Sequence, residues 1–138
     1  MKQQILLVED NAMNLELVTD LLEAKGFAVR QARTGEEALR LARELAPDLI
    51  LMDISLPGLD GLAATKALRA EPATRDLTIV ALTAHAMKGD EELALQAGCD
   101  GYLAKPIDTR TFVTRIAFFL ASARSQPAKP QPTNLYAN

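Results

Sequence analysis

Five short stretches along the chain carry the density of apolar residues expected of strands. They are Ile5–Val8, Phe27–Ala32, Leu49–Met52, Thr78–Thr83 and Gly101–Ala104. Runs this short, bounded by turn residues, read as strands, and the uninterrupted ones as strands buried on both faces. Between them the spacing changes to three and four. Leu15, Val18, Leu21 and Leu22 share one helical face, with Glu16, Asp20 and Glu23 outward. Leu39, Ala42 and Leu45 form a second such face, and Leu62 and Leu68 a third. A fourth helix is predicted over Met87–Ala97, and Phe112, Ile116, Phe119 and Leu120 mark a fifth. Stop and start signals agree with these elements. Asn11 to Asn14 can open the first helix and Lys25-Gly26 closes it, a cation followed by glycine. Thr34 and Glu37 have the spacing of a capping box, Asp60-Gly61 opens the third helix, and Gly98 ends the fourth. Asp108 or Thr109 is placed to cap the last.

Strand and helix alternate five times, which predicts an α/β three-layer sandwich: a parallel five-stranded sheet with helices on both faces. Residues 1–123 hold all of these elements and are expected to form one domain. Residues 124–138, with Pro127, Pro130 and Pro132, form a Pro-rich tail that cannot build a core.

Composition narrows the function classes. The 138 residues are 49% hydrophobic and 24% charged, the mix of a globular protein. No apolar run approaches the ~20 residues of a membrane span, and no secretory signal is expected at Met1-Lys2-Gln3-Gln4. Net charge is −3, and the acidic domain has no basic stripe, which argues against direct nucleic-acid binding. A single cysteine, Cys99, rules out an internal disulfide and fits a reducing cytoplasm. With one histidine, His85, beside it, a zinc cage of these residues is also excluded.

The chemistry lies at the ends of the strands. Glu9 and Asp10 follow the first, Asp53 the third, Thr83 ends the fourth, and Lys105 follows the fifth. In a parallel sheet these all reach one edge, where open α/β folds bind ligands. An isolated aspartate there more often caps a helix; three carboxylates together repel one another. A divalent cation removes the conflict, and oxygen ligands without imidazole or thiolate point to Mg²⁺. Mg²⁺ leaves positions open for phosphate, so the cluster reads as a phosphoryl-transfer site. Asp53 is the expected nucleophile, with Mg²⁺, Lys105 and the Thr83 hydroxyl each covering a phosphoryl oxygen.

Glu9-Asp10, Asp53 with Leu56-Pro57-Gly58-Leu59-Asp60-Gly61, Thr83-Ala84 and Lys105-Pro106 together resemble the receiver domain of two-component response regulators. The likeness covers residues 4 to about 121, with all four motifs in order. It implies a flavodoxin-like strand order 2-1-3-4-5. It implies Asp53 as phosphoacceptor, and Glu9, Asp10, Asp53 and the Ser55 backbone carbonyl as the metal site. Thr83 would be the switch hydroxyl, Tyr102 the aromatic that turns inward, and Lys105-Pro106 a cis peptide. It implies a histidine kinase or histidine phosphotransfer protein as donor. The downstream protein target would meet the face of helix 4, strand 5 and helix 5. The only catalysis implied is self-phosphorylation and dephosphorylation. Ala86–Glu92 and Gly98–Tyr102 are further similar to single-domain cell-division regulators within the family.

Two other classes use the same residues. An aspartate-nucleophile phosphatase of the haloacid-dehalogenase type would place a second Asp two residues after the nucleophile, where Ser55 stands. A pseudo-receiver binding module would have lost phosphorylation residues that are all present here. His85 either overlooks the phosphoryl group or is an exposed loop residue. Cys99 is expected as a small buried apolar residue, and Met13, Met52 and Met87 as packing or partner-face residues.

Overall fold

The computed structural model describes residues 2–54, 56, 60–83 and 88–125, without the side chains of Lys88 and of 123–125. The expectations for Ser55, His85, Met87 and the tail past Ser125 lie outside the described residues. The elements run β1 (Gln4–Val8), α1 (Ala12–Ala24), β2 (Ala28–Ala32), α2 (Gly35–Leu45), β3 (Leu49–Asp53), α3 (Gly61–Ala70), β4 (Ile79–Thr83), α4 (Lys88–Ala97), β5 (Gly101–Ala104) and α5 (Phe112–Ser125). The strands form one parallel sheet in the order β2-β1-β3-β4-β5.

Side chains alternate across the strands, so neighbouring residues enter opposite cores. Leu6, Val8, Ile50, Met52, Ile79 and Ala81 pack with Ala38 and Leu41 of α2, Leu68 of α3 and Ala94 of α4. Ile5, Leu7, Leu49, Leu51, Val80 and Leu82 pack with Leu15, Val18 and Leu22 of α1 and with Ile116 of α5. Every residue of β3 and β4 is buried, the physical reason their sequences lack polar alternation. The β2 strand is at the sheet edge and exposes Arg30 and Gln31; Phe27 falls just before it. In α2 the deepest positions are Ala38, Leu41 and Ala42, while Leu39 and Leu45 are only partly buried. Small alanines let that helix approach the sheet closely.

The helix starts follow the sequence signals with two adjustments. Asn11 accepts from the Asn14 N–H, and Asp60 from the Ala63 N–H. Thr34 accepts from the Glu37 N–H, but the Glu37 carboxylate accepts from Arg33 and not from the cap residue itself. Neither Asp108 nor Thr109 is the residue next to α5. The helix begins at Phe112, and the Thr111 carbonyl takes its first intrahelical bond from Arg115. Asp108 shapes the preceding turn, accepting on its side chain from Arg110 and on its carbonyl from Thr111 and Phe112.

One close approach positions the end of β3. A Cβ on Gly61 would lie 2.2 Å from the Asp53 carbonyl oxygen and 2.7 Å from Ile54 Cα. The first turn of α3 therefore rests directly on the backbone of Asp53, which only glycine permits. Gly61→Ala gains about 1 kcal/mol of helix propensity. The backbone collision, at roughly 1–3 kcal/mol or more, outweighs it. The variant should melt several degrees below wild type, and an unchanged or raised Tm would show that α3 does not bear on β3 this way. A second expectation concerns Cys99, which is buried. Burial pushes its thiol up to about 11, against a smaller pull from a Thr65 hydrogen bond. At pH 8 only about one thiol in a thousand is ionised, so iodoacetamide should label the native protein far more slowly than the urea-unfolded protein. Equal rates would contradict the burial.

Candidate functional site

Because the strands are parallel, their carboxyl ends share one edge. Glu9 follows β1, Asp53 ends β3, Thr83 ends β4 and Lys105 follows β5. Strands β1 and β3 are neighbours with Val8 opposite Met52, so Glu9 and Asp53 leave the sheet side by side. Between them the chain order of the sheet reverses, which opens a crevice at that edge. Glu9 and Asp53 are each 1% exposed, whereas Asp10 stands on the rim. One carboxylate oxygen from each of Glu9, Asp10 and Asp53 falls within 4.8 Å of the others.

Lys105 reaches across from β5 to this cluster. Its ammonium donates to Asp53 Oδ2 at 3.1 Å and lies 2.7 Å from Glu9 Oε1. Glu9 Oε2 accepts from the Asn11 N–H at 3.1 Å. Glu9 Oε1 is buried with no aligned hydrogen bond among the described residues, so its contact with Lys105 is an ion pair. Burial pushes the Glu9 carboxyl above its ordinary value, partly offset by Lys105 and Asn11 and reinforced by the Asp53 charge. For Lys105, burial pulls downward, yet the close Glu9 and Asp53 carboxylates win and hold the ammonium above its usual value. Three carboxylates against one ammonium leave a formal charge of −2. A cluster of hard oxygen donors with that residual charge and an under-coordinated buried oxygen suits a small divalent cation.

The remaining expected site residues lie around this cluster. Thr83 Oγ1 donates to Asp90 Oδ2 of α4 at 3.3 Å. The Tyr102 ring packs partly buried against the core, and the nearby Glu91 charge holds its hydroxyl above its ordinary value. Lys105-Pro106 is a cis peptide, as the resemblance implies. Ser55 is outside the described residues. Two residues with a place here were not picked out by sequence. Arg33 donates from Nη2 to the Asp10 carbonyl at 3.2 Å, joining the β2–α2 turn to the rim of the cluster. Its only signal was its position one residue past a strand. Asp90 stands in an ordinary acidic first turn of a helix, and nothing in its spacing links it to Thr83.

No described helix is long and apolar enough to cross a membrane. Residues 5–117 match the family described as response regulator receiver domain. The chain is 47% identical over 123 residues to the polar-differentiation response regulator DivK of Brucella ovis, covering 89% of this chain and all of that one. Among solved structures it is similar to the receiver domain of a sensor histidine kinase from Pseudomonas aeruginosa, with 40% identity and a TM-score of 0.81. That match covers 88% of this chain and 99% of the other, whose structure has a magnesium ion coordinated in the active site cleft. A CheY-like receiver domain protein from Methanospirillum hungatei superposes with a TM-score of 0.83 at 26% identity, covering 91% of this chain and 98% of that one. Acid cluster, lysine, strand order and sequence therefore agree, and the chain belongs to the response regulator receiver domain family of two-component signalling.

Proposed function

We propose that this protein is a single-domain response regulator that accepts a phosphoryl group on Asp53 from a histidine kinase or histidine phosphotransfer protein. Residues 1–123 form the receiver and 124–138 a tail, with α5 of the receiver running on to Ser125 at the start of that tail. The signal then leaves by phosphorylation-dependent protein binding or by relay of the phosphoryl group, and the protein acts in the cytoplasm. The observation that carries this reading is the Lys105 bridge between Asp53 and Glu9, beside three carboxylates that share one crevice.

Glu9, Asp10, Asp53 and the Ser55 carbonyl would hold Mg²⁺, which when bound neutralises charge on the phosphoryl oxygens. An Asp53 carboxylate oxygen bonds to phosphorus as the phosphorus–nitrogen bond of a phosphohistidine breaks. The electron pair leaves with the imidazole, which is protonated by solvent. Lys105 shifts its donor capacity from the carboxylate to a phosphoryl oxygen, and Thr83 offers its hydroxyl to another. Burial of Asp53 keeps bulk water from the new acyl phosphate. On the donor side, Met13 (81% exposed) and Leu17 (41%) stand four residues apart on α1, the helix that leaves Glu9-Asp10. This apolar pair suits a partner helix. On the output side, Tyr102 and the exposed Leu93, Leu95 and Phe118 belong to the elements α4, β5 and α5.

Two measurements test the reading. With Mg²⁺ and acetyl phosphate, intact mass should rise by one phosphoryl group in wild type and stay unchanged in Asp53→Asn. Equal labelling of the variant would overturn the assignment. Mg²⁺ at ten times its Kd should add about 1.4 kcal/mol of stability, a melting shift of a few degrees. The Asp10→Asn protein should show a clearly smaller shift. A wild type whose melting ignores millimolar Mg²⁺ would contradict the metal site.

A further inference from the structure

In this structure the Thr83 hydroxyl is already engaged. It donates to Asp90 Oδ2 at 3.3 Å, from a residue only 2% exposed. Asp90 is half-buried in the first turn of α4. Its neighbour Glu91, also half-buried, acts by its charge on the Tyr102 hydroxyl of β5. That charge holds the tyrosine above its ordinary value. Two consecutive carboxylates of one helical turn thus address the two residues expected to respond to phosphorylation, Asp90 by a hydrogen bond to Thr83 and Glu91 by its charge on Tyr102.

A hydroxyl has one proton to give. A phosphoryl oxygen on Asp53 and the Asp90 carboxylate both require it, so only one can be satisfied at a time. We propose that Asp90 is the resting-state competitor for the Thr83 hydroxyl, holding the switch off until a phosphoryl group on Asp53 takes that proton. Releasing Asp90 frees the first turn of α4, and Glu91 carries the change to Tyr102. A negative charge in the first turn of a helix is favourable without a side-chain partner, so Asp90 can let go without unwinding α4. Asp90 acts through Thr83 and is a positioning residue. The inference rests on the receiver reading and adds to it the element that sets how strongly the resting state is held.

Competition predicts that removing Asp90 strengthens binding at Asp53. Beryllofluoride, a non-covalent mimic of the aspartyl phosphate, is titrated with Mg²⁺ into the full chain, following the Tyr102 ring signals by NMR. Asp90→Ala should bind it about five- to twentyfold more tightly than wild type, the worth of a hydrogen bond to a charged group at this partial exposure. Asp90→Asn, a weaker neutral acceptor of the same size, should fall between. In a Thr83→Ala background, Asp90→Ala should change affinity by less than about twofold, because the contested proton is gone. Folding of each variant is checked by its amide spectrum, and Asp90→Asn serves if the alanine variant is unfolded. Equal or weaker binding by a folded Asp90 variant overturns the proposal, as does the same gain without Thr83. If wild type takes no beryllofluoride, the receiver reading itself fails. If wild type binds it and the Asp90 variants merely match it, only the competition fails.

Discussion

Three carboxylates within a few ångströms of one another, two of them buried, constitute the constraint around which the edge of this sheet is arranged. Like charges at that spacing in a site shielded from water repel strongly. The protein answers with one ammonium. Lys105 comes from the far side of β4 to lie against both Glu9 and Asp53, and its own charged state is held up by them. The compensation is incomplete: the cluster stays net negative, Glu9 is pushed toward its neutral form, and one of its oxygens lacks an aligned donor. Left so, the site favours whatever brings positive charge, and a bound cation can in turn bring an anionic phosphoryl group. The function follows from a deliberate shortfall of charge, with the sheet supplying the geometry.

Each supporting element can be traced to that need. The parallel sheet delivers one acidic or basic residue per strand end, and β1 and β3 are adjacent because the order reverses between them. Two buried faces on β3 and β4 make their ends stiff, so Asp53 and Thr83 are held by packing on both sides. Gly61 lets α3 rest on the Asp53 carbonyl, and Arg33 ties the Asp10 backbone to the next turn. By contrast α4 meets the site through the Thr83–Asp90 hydrogen bond and the Glu91 charge acting on Tyr102, polar interactions that can be exchanged. Stiff packing around the chemistry and exchangeable contacts toward the surface are what a two-state module needs.

Much of this was legible in the chain because the signal was local. The Leu49–Met52 run ending at Asp53 identifies a buried strand with a carboxylate at its mouth, and the parallel sheet follows from the five-fold alternation of strand and helix. Capping at Asn11, Thr34 and Asp60 was readable for the same reason. Strand order was not in the periodicity and came from the family resemblance. The start of α5 was misplaced because Asp108 caps a turn that only afterwards becomes helix. Ala46, left-handed at φ 44° where glycine is usual, carries no sequence mark of that conformation. Arg33 and Asp90 stayed hidden for a deeper reason: each acts through a contact between elements, and an acidic first turn looks the same whether or not a hydroxyl faces it.

The central claim is that the buried carboxylate ending β3, among the acids of this cluster, is the one that takes the phosphoryl group. Borohydride reduction of the freshly phosphorylated protein converts an acyl phosphate to an alcohol and marks its residue permanently. Peptide mass spectrometry should find homoserine in place of Asp53, with Asp10 intact and Glu9 unreduced. Reduction at Asp10 or Glu9, with Asp53 untouched, would contradict the account.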